Sequence, residues 1–298
     1  MEYRLLPRTG WKVSALSFGC MSLKGNDAEN ARLLHKAFDH GINYFDTADL
    51  YDAGANEASV GRALKGRRDK LILATKVGNE MRADGSGWDW NPRKSYILKA
   101  VNQSLKRLQT DYIDLYQLHG GTIDDPIDEV IEAFDVLKEQ GKIRAYGISS
   151  IRPNVIREYV GRAQIVSNMM QYSLLDRRPE EEAMELLQTA EVGLMARGSL
   201  AKGILAGKTI SKYLDYKSQA VEIVVDKLRV FSIEKTPLSH LAWQWVLSHA
   251  AVTSAVVGVR TEAQLDELLA YDQSPQLREG ELQELSALLP PNRYANHR

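Results

Sequence analysis

The sequence predicts a (β/α)8 TIM barrel with an N-terminal β-hairpin closing the barrel floor. Three observations carry this. Short apolar runs alternate strictly with longer amphipathic stretches, the runs are apolar on both faces, and they number eight. Strict alternation implies a parallel sheet. Runs apolar on both faces imply a sheet covered on both sides. Eight strands favour closure over a doubly wound open sheet. The open sheet would also want a G-x-G-x-x-G fingerprint after an early strand, and the sequence has none. Gly61 to Arg67 (GRALKGR) has two glycines, but it lacks the Lys-Ser/Thr pair and lies inside a helical pattern.

The elements follow in order. Tyr3 to Ser14 holds a Thr9-Gly10 turn between two extended runs, which predicts the floor hairpin. Ala15–Phe18 is the first barrel strand and Ile42–Asp46 the second. Glu57–Lys65 is a helix with Val60, Ala63 and Leu64 on one face. Lys70–Val77 is a strand, Pro92–Leu108 a helix and Tyr112–Leu118 a strand. Pro126–Gln140 is a helix opened by Asp125 before Pro126 and closed by Gly141. Strands at Ile143–Ile148, Gln164–Met170, Val192–Ala196 and Ser254–Val257 follow, with helices at Pro153–Val160, Pro179–Thr189, Leu238–His249 and Glu262–Ala270. Gly78–Asn91 and Leu205–Ser218 read as long irregular loops, which in compact domains are usually functional or mobile.

A chain of 298 residues suits one such domain over 1–298. Lys plus Arg total 38 against 39 Asp plus Glu, so there is no basic excess for a nucleic-acid partner. Cys20 is the only cysteine, which excludes an intrachain disulfide and a thiolate metal cluster and fits a reducing compartment. The histidines show no H-E-x-x-H spacing, so no metal is expected. The N-terminus is charged from its second residue, and no apolar run reaches the ~18 residues of a membrane span. The expectation is a soluble cytoplasmic monomer.

In such a barrel the chemistry sits at the C-terminal ends of the strands. Three consecutive strands end in an acid, an ammonium and an imidazole: Asp46, Lys76 and His119. Tyr51 stands five residues beyond Asp46. Singly, each has an ordinary structural reading; four titratable groups at one mouth are harder to dismiss. The set suits hydride reduction of a carbonyl, which leaves an alkoxide to be protonated. A tyrosine hydroxyl, of pKa about 10 when unperturbed, is a slow acid until a nearby ammonium stabilises its phenolate. On this reading Lys76 does so, Asp46 offsets the cost of burying Lys76, and neutral His119 orients the carbonyl.

At these residues the chain resembles the aldo-keto reductases. Asn43 to Tyr51 (NYFDTADLY), Ala74 to Val77 (ATKV) and Asp114 to His119 (DLYQLH) look like three of that family's blocks, with Tyr51 5 residues after Asp46, Lys76 25 after Tyr51, and His119 43 after Lys76. The resemblance implies a catalytic tetrad of Asp46, Tyr51, Lys76 and His119, and NADP(H) lying extended across the barrel mouth. Gly19–Ser22 (GCMS), Gly147–Ser150 (GISS), Leu200–Gly203 (LAKG) and Val257–Arg260 (VGVR) look most like the bacterial and potassium-channel β-subunit-like branches. The implied cofactor residues are Gly19, Cys20, Met21, Asp46, Ser149, Ser150, Gln171, Arg197, Gly198, Ser199, Leu200, Lys202, Gly203, Gly258, Arg260, Gln264 and Glu267. Arg260 would meet the 2′-phosphate, with help from Gln264.

Four positions depart from the family pattern. Ser150 replaces an asparagine, and Met169 replaces a glutamine whose contact Gln171, two residues on, is expected to take over. Arg197 replaces an aromatic residue stacked on nicotinamide, and Leu268 an asparagine near adenine. Met21, Trp88 and Trp90, with Tyr51 and His119, suggest an apolar or aromatic carbonyl substrate. Two other readings compete: a redox-sensing NADP(H)-binding protein with slow turnover, and a barrel hydrolase or aldolase using Lys76 as a Schiff base.

Overall fold

The computed structural model describes residues 1–233 and 236–298. Its strands are, along the chain, β1 (Tyr3–Leu6), β2 (Trp11–Ser14), β3 (Leu16–Gly19), β4 (Tyr44–Asp46), β5 (Ile72–Val77), β6 (Asn79–Met81), β7 (Trp88–Trp90), β8 (Ile113–Leu118), β9 (Ile143–Ile148), β10 (Ser167–Gln171), β11 (Gly193–Arg197) and β12 (Val252–Gly258). Eight of them form a closed parallel barrel in the order β3-β4-β5-β8-β9-β10-β11-β12 and back to β3. The expected barrel is the observed one, with no strand end shifted by more than three residues and Ile143–Ile148 matched at both ends.

β1 and β2 pair antiparallel and plug the floor, as the Thr9-Gly10 turn predicts. Leu6 and Val13 are fully buried there, and they join Tyr44, Leu115, Met169 and Met195 in a small core inside the barrel. Burying each such aliphatic side chain contributes roughly 1.5–3 kcal/mol. The larger core lies between the outward strand faces and the surrounding helices.

The helices are α1 (Asp27–Asp39), α2 (Ala55–Leu64), α3 (Lys94–Leu108), α4 (Ile127–Glu139), α5 (Pro153–Arg162), α6 (Ala183–Thr189), α7 (Ser218–Phe231), α8 (Leu238–Ser248), α9 (Glu262–Leu269) and α10 (Glu279–Ala287). α1, α7 and α10 are additions to the sequence expectation. Asn26 opens α1 with a capping box to Glu29, and Leu33, Leu34 and Ala37 bury its inner face.

One loop and one helix start differ from expectation. Gly78–Asn91 is no irregular loop: β6 and β7 pair antiparallel within it. Asp125 does not cap α4; Pro126 holds that position. The Asp125 carboxylate instead accepts from Trp90 Nε1 (3.0 Å) and from the Thr122 backbone N–H (2.7 Å). No helix among the described residues is long and apolar enough to cross a membrane.

Candidate active site

The barrel register brings the strand ends together. Asp46 ends β4 beside Gly19 of β3, and Lys76 of β5 pairs with Gln117 of β8. Lys76 is fully buried. Its ammonium donates to the Asp46 carboxylate, to Thr47 O at 2.8 Å and to Tyr51 Oη at 3.3 Å. Gln117 Nε2 donates to the other Asp46 oxygen at 3.2 Å. Tyr51 opens a tight turn over Tyr51–Gly54 in which Asp52 (φ 48°) and Ala53 (φ 51°) are left-handed. The backbone thereby accepts strain at the residues just after Tyr51.

His119 follows β8, its backbone N–H held by Val77 O at 2.7 Å. Its ring meets Tyr51 edge to face, centroids 5.8 Å apart. Nδ1 of His119 is buried without a partner. Burial, then the Lys76 and Arg197 cations, push the imidazole down to about 3, so it is neutral in ordinary buffers. Burial raises the Asp46 carboxyl, opposed by Lys76 and by the Gln117 bond. Burial also disfavours the Lys76 ammonium, but Asp46 and Tyr51 more than offset it and hold Lys76 above its usual value. The pair is a buried lysinium–carboxylate with its hydrogen bonds supplied.

These four groups stand at the base of a cavity of about 1030 Å³. The sequence-derived residues lining it are Gly19, Met21, Asp46, Tyr51, Lys76, His119, Ser149, Ser150, Arg197, Gly198, Ser199, Leu200, Lys202, Gly203, Gly258, Arg260, Gln264 and Glu267. Ala201 (φ 46°), Lys202 (φ 60°) and Gly203 (φ 95°) turn left-handed in succession. Arg197, Lys202, Lys208 and Arg260 line the cavity, and none has a carboxylate partner among the described residues. No cluster of His, Cys, Asp and Glu among the described residues could hold a metal ion.

Four expected residues lie outside the lining. The Cys20 side chain is fully buried, 4.0 Å from Phe18 O, so its place near the mouth is a backbone one. Gln171 shares a strand face with Met169, but it packs beside Gly198 while Met169 lines the cavity. Trp88 is exposed on β7. Trp90 is spent inward: its ring lies over Gly78, where a Cβ would approach it to 2.5 Å, and its indole N–H is taken by Asp125.

Other residues shape the site without a local signal in the sequence. Asn168, fully buried on β10, grips the backbone of Ser150 twice: its Oδ1 accepts from Ser150 N at 3.1 Å and its Nδ2 donates to Ser150 O at 3.1 Å. Tyr294 to His297 fold over the cavity, tied down by Asn154 N to His297 O (3.0 Å) and Tyr294 N to Glu181 (3.2 Å). Leu50, Ile151 and Trp243 complete its apolar walls.

This mouth and this barrel are those of a barrel oxidoreductase. The sequence matches the model of the Aldo/keto reductase family over residues 15–290, and the chain belongs to that family. It is similar to the uncharacterized oxidoreductase YqkF of Bacillus subtilis (strain 168), 45% identical over 306 residues and covering 100% of both chains. The solved holo form of aldo-keto reductase AKR11C1 from Bacillus halodurans superposes with a TM-score of 0.94 at 48% identity, covering 100% of this chain and 99% of that one. A probable voltage-gated potassium channel β subunit of Arabidopsis thaliana is 31% identical, with 93% of each chain covered.

Proposed function

We propose that the chain reduces aldehydes or ketones to alcohols, with NADP(H) as cofactor and Tyr51 as proton donor. The observation that carries this is the single ammonium of Lys76, which touches Asp46, Thr47 and Tyr51 at once.

The residues present fit the dinucleotide. Its phosphates need cations, and five cavity cations (Arg152, Arg197, Lys202, Lys208 and Arg260) have no acid partner among the described residues. Arg260 and Gln264 would hold the 2′-phosphate, and Lys202 with the left-handed turn at Gly203 the pyrophosphate. Ser149, the clamped Ser150, Arg197 and Gly198 would receive the nicotinamide end. When bound, the cofactor supplies the hydride.

The chain's own groups do the rest. The carbonyl oxygen accepts from the neutral His119 ring and from the Tyr51 hydroxyl, which orients and polarises it. As charge develops on that oxygen, the Tyr51 proton moves onto it, and the Lys76 ammonium stabilises the phenolate left behind. Asp46 and Gln117 keep the ammonium aimed. Met21, Leu50 and Ile151 favour an apolar substituent; Trp88 and Trp90 do not reach it. A Schiff-base role for Lys76 is disfavoured because Asp46 and Tyr51 keep its amine protonated.

The test is turnover of NADPH with a panel of aldehydes and ketones, for the parent and for Tyr51→Phe. The variant should lose roughly 10²–10⁴-fold in kcat. Firm NADPH binding with no turnover of any carbonyl by the parent would favour the sensor reading instead.

A further inference from the structure

We propose that Asp49 enters the folded protein as a neutral carboxylic acid and, in that form, is the positioning residue for Tyr51. The proposal rests on the reading of Tyr51 as proton donor. Asp49 sits between Asp46 and Tyr51 on the turn that follows β4. Its side chain is buried, its backbone N–H donates to Lys76 O at 3.3 Å, and its Oδ1 is buried without a partner.

The charged groups around Asp49 are already committed. Lys76 of β5 is taken by Asp46. Arg107 of α3 donates from Nε to Glu57 Oε2 at 2.6 Å, and Thr75 donates to the other Glu57 oxygen at 2.6 Å. Glu57 of α2 thus has both oxygens satisfied and carries the one charge that Arg107 balances. The remaining neighbours, Tyr96 of α3 and Tyr116 of β8, are neutral, and the Tyr116 hydroxyl is itself buried without a partner. A second carboxylate here would share the Arg107 and Lys76 cations with Glu57 and Asp46 and would have a like charge beside it. Protonation removes both penalties. Burial first, then Glu57, push Asp49 up to about 8, against the Arg107 and Lys76 cations and the Leu50 backbone hydrogen bond, which pull it down.

Ionisation would drive the Asp49 side chain toward water. The turn that carries Asp49 also carries Tyr51, two residues on, so the Tyr51 hydroxyl would leave Lys76. The native state holds this proton where the unfolded chain has lost it. Stability therefore falls as pH rises from the ordinary carboxylate value of 3.8 to about 8.

Two measurements test this. The first is the thermal midpoint of the parent and of Asp49→Asn between about pH 5 and pH 9, which needs no activity. The variant should melt higher, by about 2 °C or more at pH 8, with the gap narrowing toward pH 5. A variant that melts lower throughout, that shows a constant gap or that fails to fold would overturn the neutral acid. The second is the pH profile of kcat, each protein normalised to its own maximum. The parent's alkaline limb should move up by at least about half a pH unit in Asp49→Asn. Superimposable profiles would overturn the positioning role. A parent without carbonyl turnover would fail the reductase reading alone, since the melting comparison stands without it.

Discussion

Lys76 Nζ lies 3.3 Å from Tyr51 Oη while Asp46 holds its charge from the other side. The ammonium is fully buried, so its removal leaves an uncompensated carboxylate. Lys76→Met should therefore cost about 3–5 kcal/mol of stability, read by denaturant unfolding. Adding Asp46→Asn should restore much of that stability while leaving carbonyl reduction at least about 10²-fold down. Recovery of both together would assign the pair to folding alone.

Much of this geometry is legible in the sequence, and the physical reason is the barrel. Parallel strands buried on both faces read as continuous apolar runs, and the polar residue that ends each run must stand at the mouth. Asp46, Lys76 and His119 are found this way. α1 escapes that reading even though the Asn26–Glu29 box and Leu33, Leu34 and Ala37 mark it. Side-chain destination is less legible. Nothing local distinguishes a tryptophan that walls a pocket from Trp90, which packs on Gly78 and bonds Asp125. The tail from Tyr294 to His297 reaches the mouth through contacts with Glu181 and Asn154, more than a hundred positions away. Asn168 clamps Ser150 across the β9–β10 seam, a pairing that becomes visible only once the register is known.

His119 supplies a pH prediction. Its native value is near 3 and its ordinary value 6.5. Below 6.5 the unfolded chain takes up a proton that the native ring refuses. This group's contribution to stability is full above 6.5 and is lost as pH falls toward 3. The kcat profile should be flat through about pH 5–7, with no acid limb from imidazole. His119→Gln should lose less thermal stability than the parent between about pH 7 and pH 5. An acid limb near 6.5 that vanishes in the variant would refute a neutral ring.

Arg260 is exposed at the entrance to α9, where its backbone N–H donates to Gln264 Oε1 at 2.9 Å and its guanidinium has no acid partner among the described residues. A charge-assisted bond to a phosphate is worth roughly 1.5–3 kcal/mol. Arg260→Ala should weaken NADPH binding by about 10–100-fold and NADH binding by less than about threefold, measured by fluorescence titration. Equal losses for the two cofactors would remove Arg260 from the 2′-phosphate.

Arg197 ends β11 beside Gly198, close enough for its charge to lower both His119 and Asp46. A cation fixed at the nicotinamide end repels the positively charged oxidised ring and not the neutral reduced one. The parent should therefore bind NADPH about tenfold more tightly than NADP+, a difference of about 1.4 kcal/mol. Arg197→Tyr should bring the two dissociation constants together by weakening NADPH less than it strengthens NADP+. Stacking alone predicts otherwise, because both rings are planar and either side chain can cover them. A ratio unchanged by the substitution would leave Arg197 as a planar surface whose charge has no part in cofactor choice.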